Sequence, residues 1–114
     1  MGSREKRKGA RGERELAMAL SEVLGVRCHR GRQYHGGPEA PDVVVDIPGL
    51  HVECKRCEGI SVYKAMEQSQ RDAGFGKIPI VCHRRNRKDW IVMLYLRDLK
   101  RFVQLLSYFI DKGE

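Results

Sequence analysis

The spacing of apolar residues divides the chain into helices and strands. We expect helices at about 10–24, 61–74 and 98–111, and strands at about 26–29, 42–47, 50–55, 78–83 and 90–96. Pro48-Gly49 between the second and third strands indicates a hairpin. The order α-β-β-β-α-β-β-α predicts one α/β domain over residues 1–114, with a mixed β-sheet flanked by helices.

One charged residue interrupts the apolar stripe of the first helix. At about 100° per residue, Glu13 lies within about 20° of Leu20, near the middle of that stripe. The carboxylate either satisfies the free amides of the helix N-terminus or faces a site at the edge of the core. Glu15 and Glu22 fall on the opposite face, which we expect to be exposed to solvent.

Two segments lack such a pattern. Residues 1–12 carry Lys and Arg between glycines and predict a flexible basic arm. Residues 31–41 are rich in Gly and Pro and predict a mobile loop. Either the arm is a solvated tail or it contacts phosphates.

The hairpin at 42–55 carries the strongest chemical signal. A turn symmetric about Pro48-Gly49 pairs Asp42 with Lys55, and Val44 with Glu53. One face is then apolar, while Asp42, Glu53 and Lys55 converge at the open end of the other face. The alternative is an ordinary solvent-exposed face with unrelated charges.

These residue types suit phosphodiester hydrolysis. Two neighbouring carboxylates repel unless a divalent cation lies between them, and hard oxygen ligands select Mg²⁺ or Mn²⁺. Cys54 can offer its backbone carbonyl as a further ligand. Lys55 can hold the attacking water and offset charge in the transition state.

Composition adds the nature of the partner. The chain has 114 residues, 22 Lys+Arg against 15 Asp+Glu, and a net charge of +7. This balance favours a polyanion, with nucleic acid ahead of an anionic membrane surface. No apolar run reaches the ~18–20 residues of a membrane span, and the basic N-terminus lacks an apolar signal region. We therefore expect a cytoplasmic, nucleoid-associated protein, or one in the host cytoplasm if it is viral.

The four cysteines are too few to define a disulfide scaffold, so we interpret them as reduced thiols. A zinc site is the alternative. Cys54 and Cys57 have C-x-x-C spacing, and Cys28-His29 and Cys82-His83 offer further ligands, but no second C-x-x-C is present.

Three segments resemble known nucleases. Pro41-Asp42 and Glu53-Cys54-Lys55 match the P-D…(D/E)-x-K pattern of restriction-endonuclease-like nucleases. Residues 7–16, RKGARGEREL, resemble the R-K-G-x-x-x-E-R-E-L opening of archaeal-type Holliday junction resolvases. Residues 74–81 resemble the F-G-x-x-P segment of that family, so the resemblance covers about residues 7–96.

The resemblance implies a restriction-endonuclease-like fold and a homodimeric, metal-dependent endonuclease that resolves four-way DNA junctions by paired symmetric nicks. It implies that Asp42 and Glu53 bind the metal, that Lys55 is the catalytic lysine, and that Glu13 is an extra acid from the first helix. Phe75 would lie near the dimer surface. The alternatives are another PD-(D/E)XK nuclease of repair, recombination or restriction, and a catalytically silent nucleic-acid-binding module.

Basic residues outside this acidic group are expected to grip phosphates rather than read bases. They are Arg7, Lys8, Arg11, Arg14, Arg30, Arg32, Arg84, Arg85, Arg87 and Lys88. Gln68 or Gln70 could reach the site from the second helix, although surface glutamines are the commoner case.

Overall fold

The structure, a computed structural model, describes residues 3–31 and 40–111, with the side chains of 9–31 and 40–110. Its elements in chain order are α1 (Ser3–Leu24), β1 (Cys28–Arg30), β2 (Val43–Val45), β3 (Leu50–Arg56), α2 (Val62–Ala73), β4 (Ile78–Arg84), β5 (Ile91–Met93), a 3₁₀ turn (Leu96–Asp98) and α3 (Leu99–Asp111).

The strands form one mixed sheet in the order β1-β2-β3-β4-β5. Strands β3 and β4 are parallel, and the other neighbouring pairs are antiparallel. Parallel neighbours need a crossover connection, and α2 supplies it. The mixed α/β architecture predicted from the sequence is therefore confirmed. None of the described helices is long and apolar enough to cross a membrane.

Both faces of the central strands are covered. Leu16 and Ala17 of α1 pack on one face with Val43, Val52, Ile78, Ile80 and Cys82. On the other face, Ala65 and Met66 of α2 pack against Val81. His51 and Glu53 of β3, which point toward α2, are consequently buried, so the alternative of an ordinary solvent-exposed face is wrong for these residues.

The start predicted for the first helix, near Ala10, is wrong. Helix α1 begins at Ser3, so the segment predicted as an arm at 1–12 is helical from that residue onward. Arg, Glu and Lys are strong helix formers, and two helical glycines cost only about 1 kcal/mol each. Most of the loop predicted at 31–41 lies outside the described residues.

The predicted register of the β2–β3 hairpin is also wrong, by two residues. Val43 lies opposite Val52, so Asp42 comes beside Glu53 rather than opposite Lys55. The connection occupies residues 46–49, with Gly49 at φ 93°, a conformation that favours glycine. Because side chains alternate with period two, a shift of two residues leaves each one on its predicted face.

Candidate active site

Asp42 is held at the point where β2 leaves β3. Its backbone amide donates to the carbonyl of Val52 at 3.0 Å. Its carboxylate oxygen Oδ2 accepts a hydrogen bond from the backbone amide of Cys54 at 2.8 Å. Since β2 has no further residue to pair with Cys54, the carboxylate takes the place of a strand carbonyl. This contact fixes Asp42 against the Glu53-Cys54-Lys55 segment.

The backbone of Cys54 presents a second oxygen on the same side of β3. In an antiparallel pair the N–H and C=O of one residue point toward the same neighbouring strand. The Cys54 amide points toward β2, because Asp42 accepts its proton. The Cys54 carbonyl therefore points to that side of β3 too, as a metal ligand from the backbone would require.

Glu53 lies on the α2 face of the sheet. It pairs in register with Val81, whose side chain packs against α2, and it is only 5 % exposed. Its Oε1 is 3.3 Å from Nε2 of His51, two residues earlier on the same face. By strand alternation Lys55 shares this face, where it is half-buried and pairs in register with His83. The predicted grouping of Glu53 with Lys55 on one face is confirmed.

Glu13 points inward from α1, as its position in the apolar stripe predicts, and is 7 % exposed. Its Oε1 accepts a hydrogen bond from Nε of Arg30 at 2.8 Å. Arg30 ends β1 and lies opposite Val43, the residue after Asp42. The helix therefore brings a third acid to the β1–β2 side of the site, and Arg30, an expected DNA contact, also binds Glu13.

The thiol of Cys54 is influenced by two of these acids. Burial, followed by the carboxylates of Asp42 and then Glu13, raises the pKa of Cys54 from 9.0 to about 12. A carboxylate raises a thiol pKa only by disfavouring the thiolate over a short distance. Asp42 and Glu13 thus both act on one point of β3.

The three acids do not form a closed ligand cluster. Among residues 3–31 and 40–111, no group of three or more His, Cys, Asp or Glu side chains is arranged to hold a metal ion. Among the described residues, Cys54 and Cys57 therefore have no further ligands arranged around them, as a structural zinc site needs.

Magnesium has different requirements from zinc. It is usually bound by one or two carboxylates, with water and substrate phosphate completing an octahedron. The hard oxygens of Asp42, Glu53 and the Cys54 carbonyl suit that mode, and Asp42 is already oriented by the backbone. The residues present therefore fit a divalent cation that shares its ligands with a substrate.

Apart from Arg30, the basic residues proposed to bind DNA differ in their exposure. Arg11, Arg14, Arg85, Arg87 and Lys88 are exposed. Arg84 is half-buried, and its guanidinium donates to Glu15 and to the Lys88 carbonyl. The side chains of Arg7 and Lys8, and all of Arg32, lie outside the described residues.

Two features escaped the sequence analysis. Glu15 is not in open solvent, because its Oε1 accepts from Nε of Arg56 at 3.2 Å and from Arg84. Its two partners lie 41 and 69 residues away along the sequence, so no local sequence pattern predicts these contacts. His51, in contrast, shares a face with Glu53 by simple alternation and could have been found. Gln68 and Gln70 are exposed on α2.

Comparisons with known proteins agree with this geometry. The family model described as "Phage putative PDDEXK endonuclease" matches residues 4–110. The solved structure of Hjc, a Holliday junction resolvase from the archaeal hyperthermophile Archaeoglobus fulgidus, is similar with a TM-score of 0.55 and 26 % identity. That similarity covers 74 % of this chain and 73 % of Hjc. No curated protein matches the chain.

The matched segment contains every described element that builds the site, from α1 through β3 to nearly the end of α3. The chain belongs to the phage PDDEXK endonuclease family and is a PD-(D/E)XK nuclease with the restriction-endonuclease-like fold of Hjc.

Proposed function

We propose that this chain is a Mg²⁺- or Mn²⁺-dependent DNA endonuclease that resolves four-way junctions by paired symmetric nicks, acting as a homodimer built from one nuclease domain per chain. The observation that carries the proposal is the Asp42 carboxylate held on the Cys54 amide beside Glu53. The similarity to Hjc supports a junction as the substrate, since Hjc is a Holliday junction resolvase.

PD-(D/E)XK nucleases generally use divalent metal ions. Asp42, Glu53 and the Cys54 carbonyl would hold the ion, with Glu13 as a further acid. When bound, the ion supplies Lewis-acid stabilisation of the phosphate and a water that is nucleophilic at neutral pH. Lys55, on the face of Glu53, would hold the attacking water through its ammonium group and offset negative charge that develops on the phosphate.

The exposed basic residues support a phosphate-binding surface. Arg11 and Arg14 on α1, and Arg85, Arg87 and Lys88 after β4, are exposed and not buried in the core. Contacts of this kind position a backbone without reading its sequence, as recognition by shape requires. Binding should weaken steeply as salt rises.

A homodimer follows from the proposed reaction. Two symmetric nicks need two active sites at a fixed separation, and a chain of 114 residues has room for one. Phe75, fully exposed between α2 and β4, supports an interface at that turn.

Cleavage of a synthetic four-way junction tests the proposal. The substrate set is a junction, a fork and a linear duplex of matching sequence, each labelled on one strand, with Mg²⁺ or Mn²⁺. We expect cleavage of the junction in preference to the other two, at symmetric positions on opposite strands. In a plasmid with an extruded cruciform, paired nicking gives linear product directly instead of an accumulated nicked circle.

The decisive variant is Asp42→Asn. Its amide oxygen can still accept from the Cys54 amide, so the fold is kept while the charge is lost. We expect cleavage to fall by about 100-fold or more, within the range seen when one electrostatic group is removed from an active site. Asp46→Asn, a matched change at an exposed residue, should cleave like wild type.

Two outcomes contradict the proposal. Equal cutting of junction, fork and duplex indicates another PD-(D/E)XK nuclease of repair, recombination or restriction. An absence of cleavage with both metals, or an unchanged rate in Asp42→Asn, indicates a nucleic-acid-binding module without this catalytic site.

A further inference from the structure

One deeply buried ionisable side chain near the site has no role in the proposed reaction. His51 is 1 % exposed and lies on the face of β3 that α2 covers. Alternation along the strand places it on the same face as Glu53. A polar ring at such a position is destabilising unless it makes a hydrogen bond, so its partner indicates its role.

His51 pairs with Glu53. Nε2 of the ring lies 3.3 Å from Oε1 of the carboxylate, with both side chains almost completely shielded from water. An ionised carboxylate has no proton to give, so the hydrogen of this bond is on Nε2 and His51 donates it. An ionised Glu53 thus pairs with the His51 tautomer that carries its hydrogen on Nε2.

The bond leaves the second carboxylate oxygen unengaged. Within the part of the chain that the structure describes, Oε2 of Glu53 has no hydrogen-bond partner. A glutamate side chain has three rotatable bonds, and one donor fixed on β3 removes much of that freedom. Orientation by an outer donor is the usual way in which a protein presents a ligand to a metal.

We infer that His51 is a positioning residue for the metal site: it holds Glu53 through Nε2–H···Oε1 and leaves Oε2 for the divalent cation. The inference rests on the proposed function, since it assigns Glu53 to the cation. His51 does not touch the substrate or the metal in this arrangement. Its contribution is to reduce the conformational freedom that Glu53 would lose on binding the ion.

A purely structural role makes a different prediction. If His51 only fills space under α2, its replacement lowers stability but leaves the cation affinity of the folded protein unchanged. If it positions Glu53, the cation affinity falls in variants that lack a donor at the place of Nε2 and is kept in a variant that retains one. Metal affinity and thermal stability therefore separate the two roles.

Three variants isolate the donor. The side-chain nitrogen of glutamine can reach the place of Nε2, whereas that of asparagine reaches only the place of Nδ1, and leucine has no donor. The probe is Mn²⁺ alone, titrated into the 114-residue protein and followed by the electron paramagnetic resonance of free Mn²⁺. Junction cleavage as a function of Mn²⁺ concentration and the melting temperature without metal are measured in parallel.

We expect His51→Leu and His51→Asn to bind Mn²⁺ about 10–100-fold more weakly than wild type, the range typical of a lost outer-shell partner. His51→Gln should stay within about 3-fold. The weaker binding should appear as a higher Mn²⁺ requirement for cleavage, with a smaller change in the rate at saturating Mn²⁺. If His51→Leu does not fold, the Gln and Asn variants still give the comparison.

Ser69→Ala is the control for a change under α2. Ser69 is completely buried on that helix, and its hydroxyl has no hydrogen-bond partner among the described residues. Removing it should leave Mn²⁺ affinity unchanged and stability unchanged or higher.

Unchanged Mn²⁺ affinity in His51→Asn and in folded His51→Leu would overturn the inference, as would equal weakening in His51→Gln and His51→Asn. Failure of the proposed function looks different. In that case wild type itself binds no Mn²⁺ or cuts no junction, or Asp42→Asn binds and cuts as wild type does.

Discussion

Two glutamates of α1, two residues apart, lie in contrasting environments. Glu13 is 7 % exposed and accepts a hydrogen bond from Arg30 at the end of β1. The side chain of Glu15 is 31 % exposed and forms ion pairs with two arginines, Arg56 of β3 and Arg84 of β4. The helix thus sends one acid toward β1 and the other toward the ends of β3 and β4.

The difference indicates that Glu13 belongs to the candidate site and that Glu15 makes a structural contact. Glu15 has more than one positive charge beside it, and it ties α1 to two strands far along the chain. Such half-exposed ion pairs contribute about 0–1 kcal/mol each. Glu13, like Asp42, raises the pKa of the Cys54 thiol more strongly than Glu15 does. Carboxylates from two elements that act on the same point favour a cation there.

The largest expected effect is on junction cleavage, when each of the two glutamates is replaced by glutamine in turn. Glu13→Gln keeps an oxygen that can accept from Arg30 but removes the negative charge, and we expect junction cleavage to fall about 100-fold, or about 2.7 kcal/mol in the barrier. Glu15→Gln should stay within about 3-fold of wild type in cleavage. Single-turnover rates of both variants at saturating Mg²⁺ check this contrast.

The stability of the same two variants completes the comparison. Glu15→Gln should lower the free energy of unfolding by about 1 kcal/mol, because two guanidinium groups lose their common partner. If Glu15→Gln abolishes cleavage while Glu13→Gln cleaves normally, the roles assigned to the two glutamates are reversed.

A smaller effect is expected at Gly12, where α1 packs closely against β3. A Cβ on Gly12 would lie 2.7 Å from Cβ of Arg56, so α1 approaches β3 closely only because this residue has no side chain. We expect Gly12→Ala to lower the free energy of unfolding by about 1–2 kcal/mol through overpacking, despite the better helix propensity of alanine. Urea denaturation followed by circular dichroism measures it.

Gly9→Ala is the matched control. Gly9 lies in the same helix, and a Cβ there meets nothing within 4 Å. We expect this substitution to raise stability by up to about 1 kcal/mol from propensity alone. Equal effects of the two substitutions would show that the contact with Arg56 is unimportant.

The smallest effect concerns the stability of the protein at alkaline pH and the buried thiol of Cys54. Folding raises the pKa of Cys54 from its usual 9.0 to about 12, through burial first and then the carboxylates of Asp42 and Glu13. The folded state therefore keeps a proton that the unfolded chain releases above pH 9. Stability linked to this thiol is fully present below that pH and is lost as pH rises toward 12.

Between pH 9 and 10 the loss should be at most about 1 kcal/mol for this thiol, and smaller in Cys54→Ala. Glu13→Gln should lower the Cys54 pKa more than Glu15→Gln, because Glu13 acts on the thiol more strongly. Alkylation rates of Cys54 as a function of pH measure that difference. A larger effect of Glu15→Gln would contradict the proximity of Glu13 to Cys54.

Local patterns were sufficient for much of the site. The inward direction of Glu13 followed from helical phase alone, and the shared face of Glu53 and Lys55 followed from strand alternation. Both survive an error of two residues in the hairpin register, because a shift by an even number keeps each side chain on its face.

Other features depend on contacts that no local pattern encodes. The symmetric turn predicted about Pro48-Gly49 placed Asp42 opposite Lys55, whereas the observed connection at 46–49 places it beside Glu53. Helix α1 begins seven residues before the predicted start, since its basic first turns have helix-forming residues but no apolar periodicity to reveal them.

The sequence by itself determined the α/β order, the inward acid of α1, and the residue types that suit a hard cation and a polyanion. Only the tertiary structure decided that Asp42 would bond to the Cys54 amide, that Glu15 would join Arg56 and Arg84, and that His51 would be buried against Glu53. Periodicity fixes the direction of a side chain from its own element. The residue that a side chain contacts depends on which other element packs against it. In this protein the strand register, the crossover through α2 and the close approach of α1 to β3 decide those contacts.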